Sequence, residues 1–150
     1  MIRNNMYGVN IMRETILLIN FQDKTRQREF QIMAITVGVR NVIVKKADYL
    51  KPIGALAGIK DMKKLQADTE EQAEVKDETK ELEKEMVVFA GLSETHLNQM
   101  LHLMRKSGMA PVDYKAVLTE TNKDWTVPEL YAELAREHEA MKAKTDNITI

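Results

Sequence analysis

The chain has 150 residues, a formal net charge of -1, 44% hydrophobic and 30% charged residues, and no cysteine. That length suits one domain burying about 70% of the surface its unfolded form exposes, without a disulfide or metal staple. The near-neutral charge argues against a general nucleic-acid binder, and the lack of cysteine excludes disulfides, thiolate nucleophiles and cysteine-based zinc sites.

Read from the start, residues 1–13 are polar and aperiodic ("MIRNNMYGVNIMR") and lack the apolar core of a secretory signal. They read as a flexible extension, with Met12 as a candidate initiator. Residues 14–59 form a first half. "TILLINF" is an apolar run typical of a strand buried on both faces. "DKTRQREFQIMAITV" carries Phe30, Met33, Ala34 and Val37 at helical spacing, Gly38 supplies the stop, and "NVIVKKA" is a second strand. A short, glycine-broken helix follows near "PIGALAGI".

Residues 60–85 hold six Lys/Arg against ten Asp/Glu, with no aromatic, glycine or proline, and read as a charged linker. The second half, residues 86–144, repeats the order of the first. "MVVFAGL" is the strand, "SETHLNQMLHLMRKS" places Leu97, Met100, Leu101 and Met104 on one helix face, Gly108 ends it, and "VDYKAVLT" is the next strand. Gly38 and Gly108, like Val42 and Val112, are 70 residues apart, which suggests an internal repeat. A last helix runs from Val127 to about Lys144, with Val127, Leu130, Tyr131, Leu134, His138 and Met141 along one stripe, and residues 145–150 are a flexible tail. Residues 14–144 are expected to form one domain.

The stretch before that last helix is rich in local signals. Thr126, Val127, Pro128 and Glu129 make the capping-box pattern T-x-x-E, and Trp125 and Leu130 occupy the positions of a hydrophobic staple. Proline in a first turn loses no hydrogen bond, because its amide would be unpaired there anyway. Thr121 and Asn122, in "TETN", suit an Asx- or Ser/Thr-type turn. The sharper alternative is that free helix-start amides, with Thr119, Asn122 and Lys123, hold an anion.

The run "DYKAVLTETNKDWT" followed by "ELYAELAREHEAM" resembles an uncharacterised bacterial family, domain-of-unknown-function family 3783. Members carry a similar A-V-L-T-x-x-N-x-x-W-T run and an E-L-x-x-E-H ending. "YLKPIGALAG" is similar to the amino-terminal part of such proteins, so the resemblance covers most of residues 14–141. It implies no activity, cofactor or substrate.

The leading strand of each half is apolar throughout, while the trailing strands mix in Lys45, Lys46, Asp113 and Lys115. Apolar strands belong in the middle of a sheet and mixed ones at its edges. The expected fold is therefore α/β: two β-α-β-(α) halves making a four-stranded, mainly parallel sheet of order 2-1-3-4. A ferredoxin-like α+β sandwich, with the central pair antiparallel, is the alternative, and the long connection between the halves speaks against it.

No catalytic or metal-binding pattern emerges. His96 and His102 are six residues apart on one helix and cannot share a metal as an i, i+4 pair does. His138 lacks the second histidine of H-E-x-x-H and reads as a partly buried stripe residue. "GALAG" is not a phosphate loop; Gly54 and Gly58 suit close packing or a turn. "AGLSE" is not a nucleophile elbow. The ten methionines fit an adaptable partner surface, though at helical spacing Met33, Met100 and Met104 suit core filling better.

One constellation comes from topology. In a parallel 2-1-3-4 sheet the crevice above the carboxyl ends of strands 1 and 3 is where open α/β sheets take ligands. Asn20, Gln22, Asp23 and Lys24 would line one side, Gly91, Ser93 and Glu94 the other, with Thr119, Asn122 and Lys123 farther along. The expectation is a small cytoplasmic binding or regulatory protein, without cofactor or catalytic residues, taking an anionic or amide-bearing small ligand. Two alternatives follow: a protein-interaction or assembly module, including a homodimer, and, ranked last, an enzyme using Asp23, Lys24 and Glu94. Neither nucleic acid nor a membrane is an expected partner, since no apolar run approaches the roughly 20 residues that span a bilayer.

Overall fold

The computed structural model describes residues 13–59 and 82–148, with side chains as far as residue 143. Most of the charged linker and of the N-terminal extension lies outside these residues. The five-residue strands Thr15–Ile19 (β1) and Met86–Ala90 (β3) are buried at every position. Both therefore lie inside the sheet, where each face of the strand meets apolar side chains. Arg40–Val44 (β2) and Tyr114–Val117 (β4), which mix polar residues in, take the edges, and the order is β2-β1-β3-β4.

Helix Lys24–Val37 (α1) links β1 to β2, and Glu94–Lys106 (α3) links β3 to β4. α1 starts where Asp23 accepts from the amides of Thr25 and Arg26, and stops at Gly38, whose left-handed φ of 98° suits glycine. Ile53–Leu56 (α2) is a single turn after β2, and Val127–Ile148 (α4) closes the chain.

The sheet is mixed, which corrects the mainly parallel expectation. β1 pairs parallel with β2 and β3 with β4, but β1 and β3 are antiparallel, with Thr15 opposite Ala90 and Ile19 opposite Met86. A ferredoxin-like sheet would have set β2 beside β3, so that alternative is excluded as well. Right-handed crossovers that leave antiparallel neighbours in opposite directions land on the same face; from parallel neighbours they would land on opposite faces.

The cores follow this geometry. On one face Ile16, Leu18, Val87 and Phe89 meet Phe30, Met33 and Ala34 of α1 and Met100 of α3. On the other, Leu17, Ile19, Met86 and Val88 meet Ile53 of α2 and Val127 and Leu130 of α4. The two halves are also joined by backbone. The Ile53 amide donates to Trp125 O (2.8 Å) and the Val127 amide to Tyr49 O (3.0 Å), so α2 and the start of α4 hold each other in place. At Gly58, φ is 106° and an added Cβ would lie 3.0 Å from the Arg40 guanidinium, which donates to Ala57 O. A side chain there would strain the backbone and crowd the arginine.

Candidate functional site

Because β1 and β3 run in opposite directions, the loops after them leave opposite edges of the sheet. The expected single crevice is therefore two separate places, about 14 Å apart along five residues of strand. Asn20, Gln22, Asp23 and Lys24 stand at one edge, with Gly91, Ser93, Glu94, Thr119, Asn122 and Lys123 at the other.

At the second edge the polar groups are occupied by one another. The Asn122 carboxamide accepts from the Thr119 amide (2.8 Å) and donates to Val117 O (3.1 Å), while the Asn122 amide donates to the Thr119 hydroxyl (3.1 Å). Asn122 is buried, and its side chain is spent on closing the turn. Lys123 faces Asp124 at 3.4 Å and Glu120 at 4.0 Å. Beyond the loop, Thr126 accepts from the Glu129 amide (3.3 Å) and Glu129 accepts from the Thr126 amide (2.8 Å). Trp125 and Leu130 pack into the same apolar cluster.

The start of α3 is filled by the chain's own carboxylate. Glu14 accepts from the Ser93 amide at 2.7 Å, and His96 Nδ1 lies 2.8 Å from the same carboxylate oxygen. Ser93 in turn accepts from the His96 amide through its hydroxyl (3.1 Å). A carboxylate only accepts, so Nδ1 carries the proton shared with Glu14 and Nε2 is turned away from it. Burial pushes the Glu14 carboxyl up, but the Ser93 amide and His96 outweigh it and hold the group below its ordinary range. The partner of Glu14 was not foreseen, because residues 82 apart in sequence carry no local signal.

The first edge is different. Asp23 accepts from the first amides of α1, Thr25 and Arg26, at 3.0 and 3.2 Å and is not among the residues lining the cleft there. Asn20 and Lys24 do line a cleft of about 230 Å³, together with Gln22, Gln27, Ile43, Val44, Lys46, Tyr49 and Leu82. It sits where the parallel strands β1 and β2 end. Gln27, Ile43, Lys46 and Tyr49 went unnoticed in the sequence, since they come from the helix flank and from β2, and only the β1–β2 pairing sets them beside Asn20.

The cleft is half open, with an apolar floor from Leu18, Phe21, Ile43 and Val44 and a polar rim of amides and ammonium groups. The Lys24 ammonium has no partner among the described residues. One wall is Leu82, whose position is fixed from several sides. Asn20, at a left-handed φ of 63°, donates to Leu82 O (2.9 Å) and Lys84 O (3.1 Å), and the Tyr131 hydroxyl accepts from the Glu83 and Lys84 amides at 3.1 and 3.0 Å. Arg26 donates to Glu85 at 2.7 Å, with both side chains largely covered.

Among the described residues no group of three or more His, Asp or Glu side chains could hold a metal ion. His138 is exposed, not half-buried in the stripe, and stands edge-on to Tyr114 at 5.7 Å. Burial raises the Tyr114 hydroxyl, helped by Tyr131 and by the negative Asp113, Glu139 and Glu83. No helix among the described residues is long and apolar enough to cross a membrane.

Residues 85–141, from just before β3 into α4, match the family described as Domain of unknown function (DUF3783). No curated protein and no solved structure matches the chain.

Proposed function

We propose that this chain, whose β3-to-α4 segment is a domain of the DUF3783 family, is a small-ligand binding protein whose site is the cleft at the carboxyl ends of β1 and β2. One observation carries the reading. Among the described residues, this edge sets the unpartnered Lys24 ammonium beside an apolar lining, with Gln22 held in place by its bond to Asn20 (2.7 Å), whereas at the other edge Glu14 and Asn122 already fill the donors. The carboxyl edge of a parallel pair is also where α/β sheets commonly bind.

The volume of about 230 Å³ lies below the range of drug-sized pockets, roughly 300 to 1,000 Å³. A small carboxylate or amide with a short apolar body suits it, the body against Ile43 and Leu18 and the head near Lys24, Gln22 and Gln27. The lining offers hydrogen-bond donors and positive charge, which serves capture and orientation. A cysteine-free chain suits work in a reducing cytoplasm, where a binding module of this size would act as a sensor or regulator.

The test is an NMR titration of the full chain with a panel of small aliphatic and aromatic carboxylates and amides. Shifts should cluster at Gln22, Gln27, Ile43 and Lys46, and Lys24→Glu should weaken carboxylate binding at least tenfold without changing the fold. Shifts clustered instead around Ser93 and Thr119, or none with any member, would overturn the proposal.

A further inference from the structure

The two halves are related by a pseudo-two-fold axis. In the antiparallel β1–β3 register Leu17 faces Val88, with Thr15 opposite Ala90 on one side of that pair and Ile19 opposite Met86 on the other. Rotation about a point between Leu17 and Val88 therefore exchanges the two strands. Contacts across the axis are reciprocal, as they are between identical partners. Glu14, just before β1, pairs with His96, three residues after the cap of α3; Glu85, just before β3, pairs with Arg26, three residues after the cap of α1. The residue that follows each central strand has a left-handed φ, 63° at Asn20 and 75° at Gly91.

The axis gives each cleft residue a counterpart at the opposite edge, and so separates what the fold requires from what the cleft adds. Ile43 and Val117 correspond, because each pairs with the fourth residue of its central strand, and both are partly open at 40% and 48% exposure. An apolar side chain there belongs to the common plan. The polar lining does not. Counted from the helix caps, Lys24 corresponds to Glu94 and Gln27 to Leu97. Counted outward from the edge-strand register, Lys46 corresponds to Glu120. The cleft thus has two ammonium groups where the other edge has two carboxylates, and among the described residues no Asp or Glu lines it.

We infer that the ligand of this cleft is a dianion: a short aliphatic dicarboxylate with one carboxylate at Lys24, the other at Lys46, and its carbon chain over Ile43. The inference rests on the cleft reading proposed above and names the charge that reading leaves open. Two cations with no lining carboxylate attract a second negative charge on the ligand, worth about 1 kcal/mol for an exposed pair. Phosphate is bound at helix starts through free backbone amides. At α1 the amides of Thr25 and Arg26 are already taken by Asp23, whereas a carboxylate is served by ammonium groups and by the Gln27 amide.

The experiment is an NMR titration of the full chain at neutral pH and low salt with butanoate, butanedioate, butanamide and inorganic phosphate. Butanedioate should bind about tenfold more tightly than butanoate, the order that one added exposed charge pair supplies, and added salt should narrow the gap. Lys46→Gln should abolish the preference for the dianion and leave butanoate affinity unchanged, while Lys24→Gln should weaken both acids. Glu94→Gln, at the counterpart of Lys24, should change neither. Equal binding of the two acids at the cleft, or tighter binding of phosphate, overturns the inference and leaves the cleft itself standing. So does a Lys46→Gln variant that keeps the preference. Absence of shifts at the cleft with every compound overturns the inference together with the reading it rests on.

Discussion

Glu14 shows how a single side chain can fill a helix start far from it in sequence. It precedes β1, yet its carboxylate is spent on the first turn of α3, bonded to the Ser93 amide and His96. Its folded-state pKa is depressed, so the ion contributes stability above the ordinary carboxylate range and loses it as pH falls through the lowered value. Glu14→Gln should therefore cost about 1 kcal/mol at pH 7 by urea denaturation. The difference from wild type should shrink steadily below about pH 4.3, the unperturbed glutamate value. A pH-independent difference would mean that shape, and not charge, makes the contact. Residue roles that depend on near neighbours are legible from spacing, as in Thr126 with Glu129. The bonds from Asn20 to Leu82 and from Glu14 to His96 are not, because only folding makes those residues neighbours.

Residues 82–85 belong to no helix or strand, yet three elements tie them down. Asn20, Tyr131 and Arg26 hold them from β1, α4 and α1, and Leu82 becomes a wall of the cleft. Tyr131→Phe removes the oxygen that accepts from two amides while keeping the ring beside Tyr114. It should cost about 1 kcal/mol. Amide exchange at Glu83 and Lys84 should accelerate, with little change in β1 or β3. Acceleration spread evenly over the sheet would assign Tyr131 a global role instead. Strands and helices were readable because their apolar periods differ, continuous in β1 and β3 and near 3.6 in α1 and α3. The tie at residues 82–85 has no such period, and its location in the charged stretch made it look like part of a linker.

At the scale of the whole molecule, burial pattern and strand direction are separate pieces of information. Full burial of β1 and β3 puts them at the centre whichever way they run, so strand order could be read while relative direction could not. Direction is decided by how the chain travels from β2 to β3, where the sequence has no short turn motif to fix it. The consequence for the proposed function is large: antiparallel central strands separate the two carboxyl edges, and the proposal places the ligand at the β1–β2 cleft alone. Cross-strand nuclear Overhauser effects on the labelled full chain test this most directly. The account predicts contacts of Thr15 with Ala90 and of Ile19 with Met86. Contacts of Thr15 with Met86 and of Ile19 with Ala90 would contradict it.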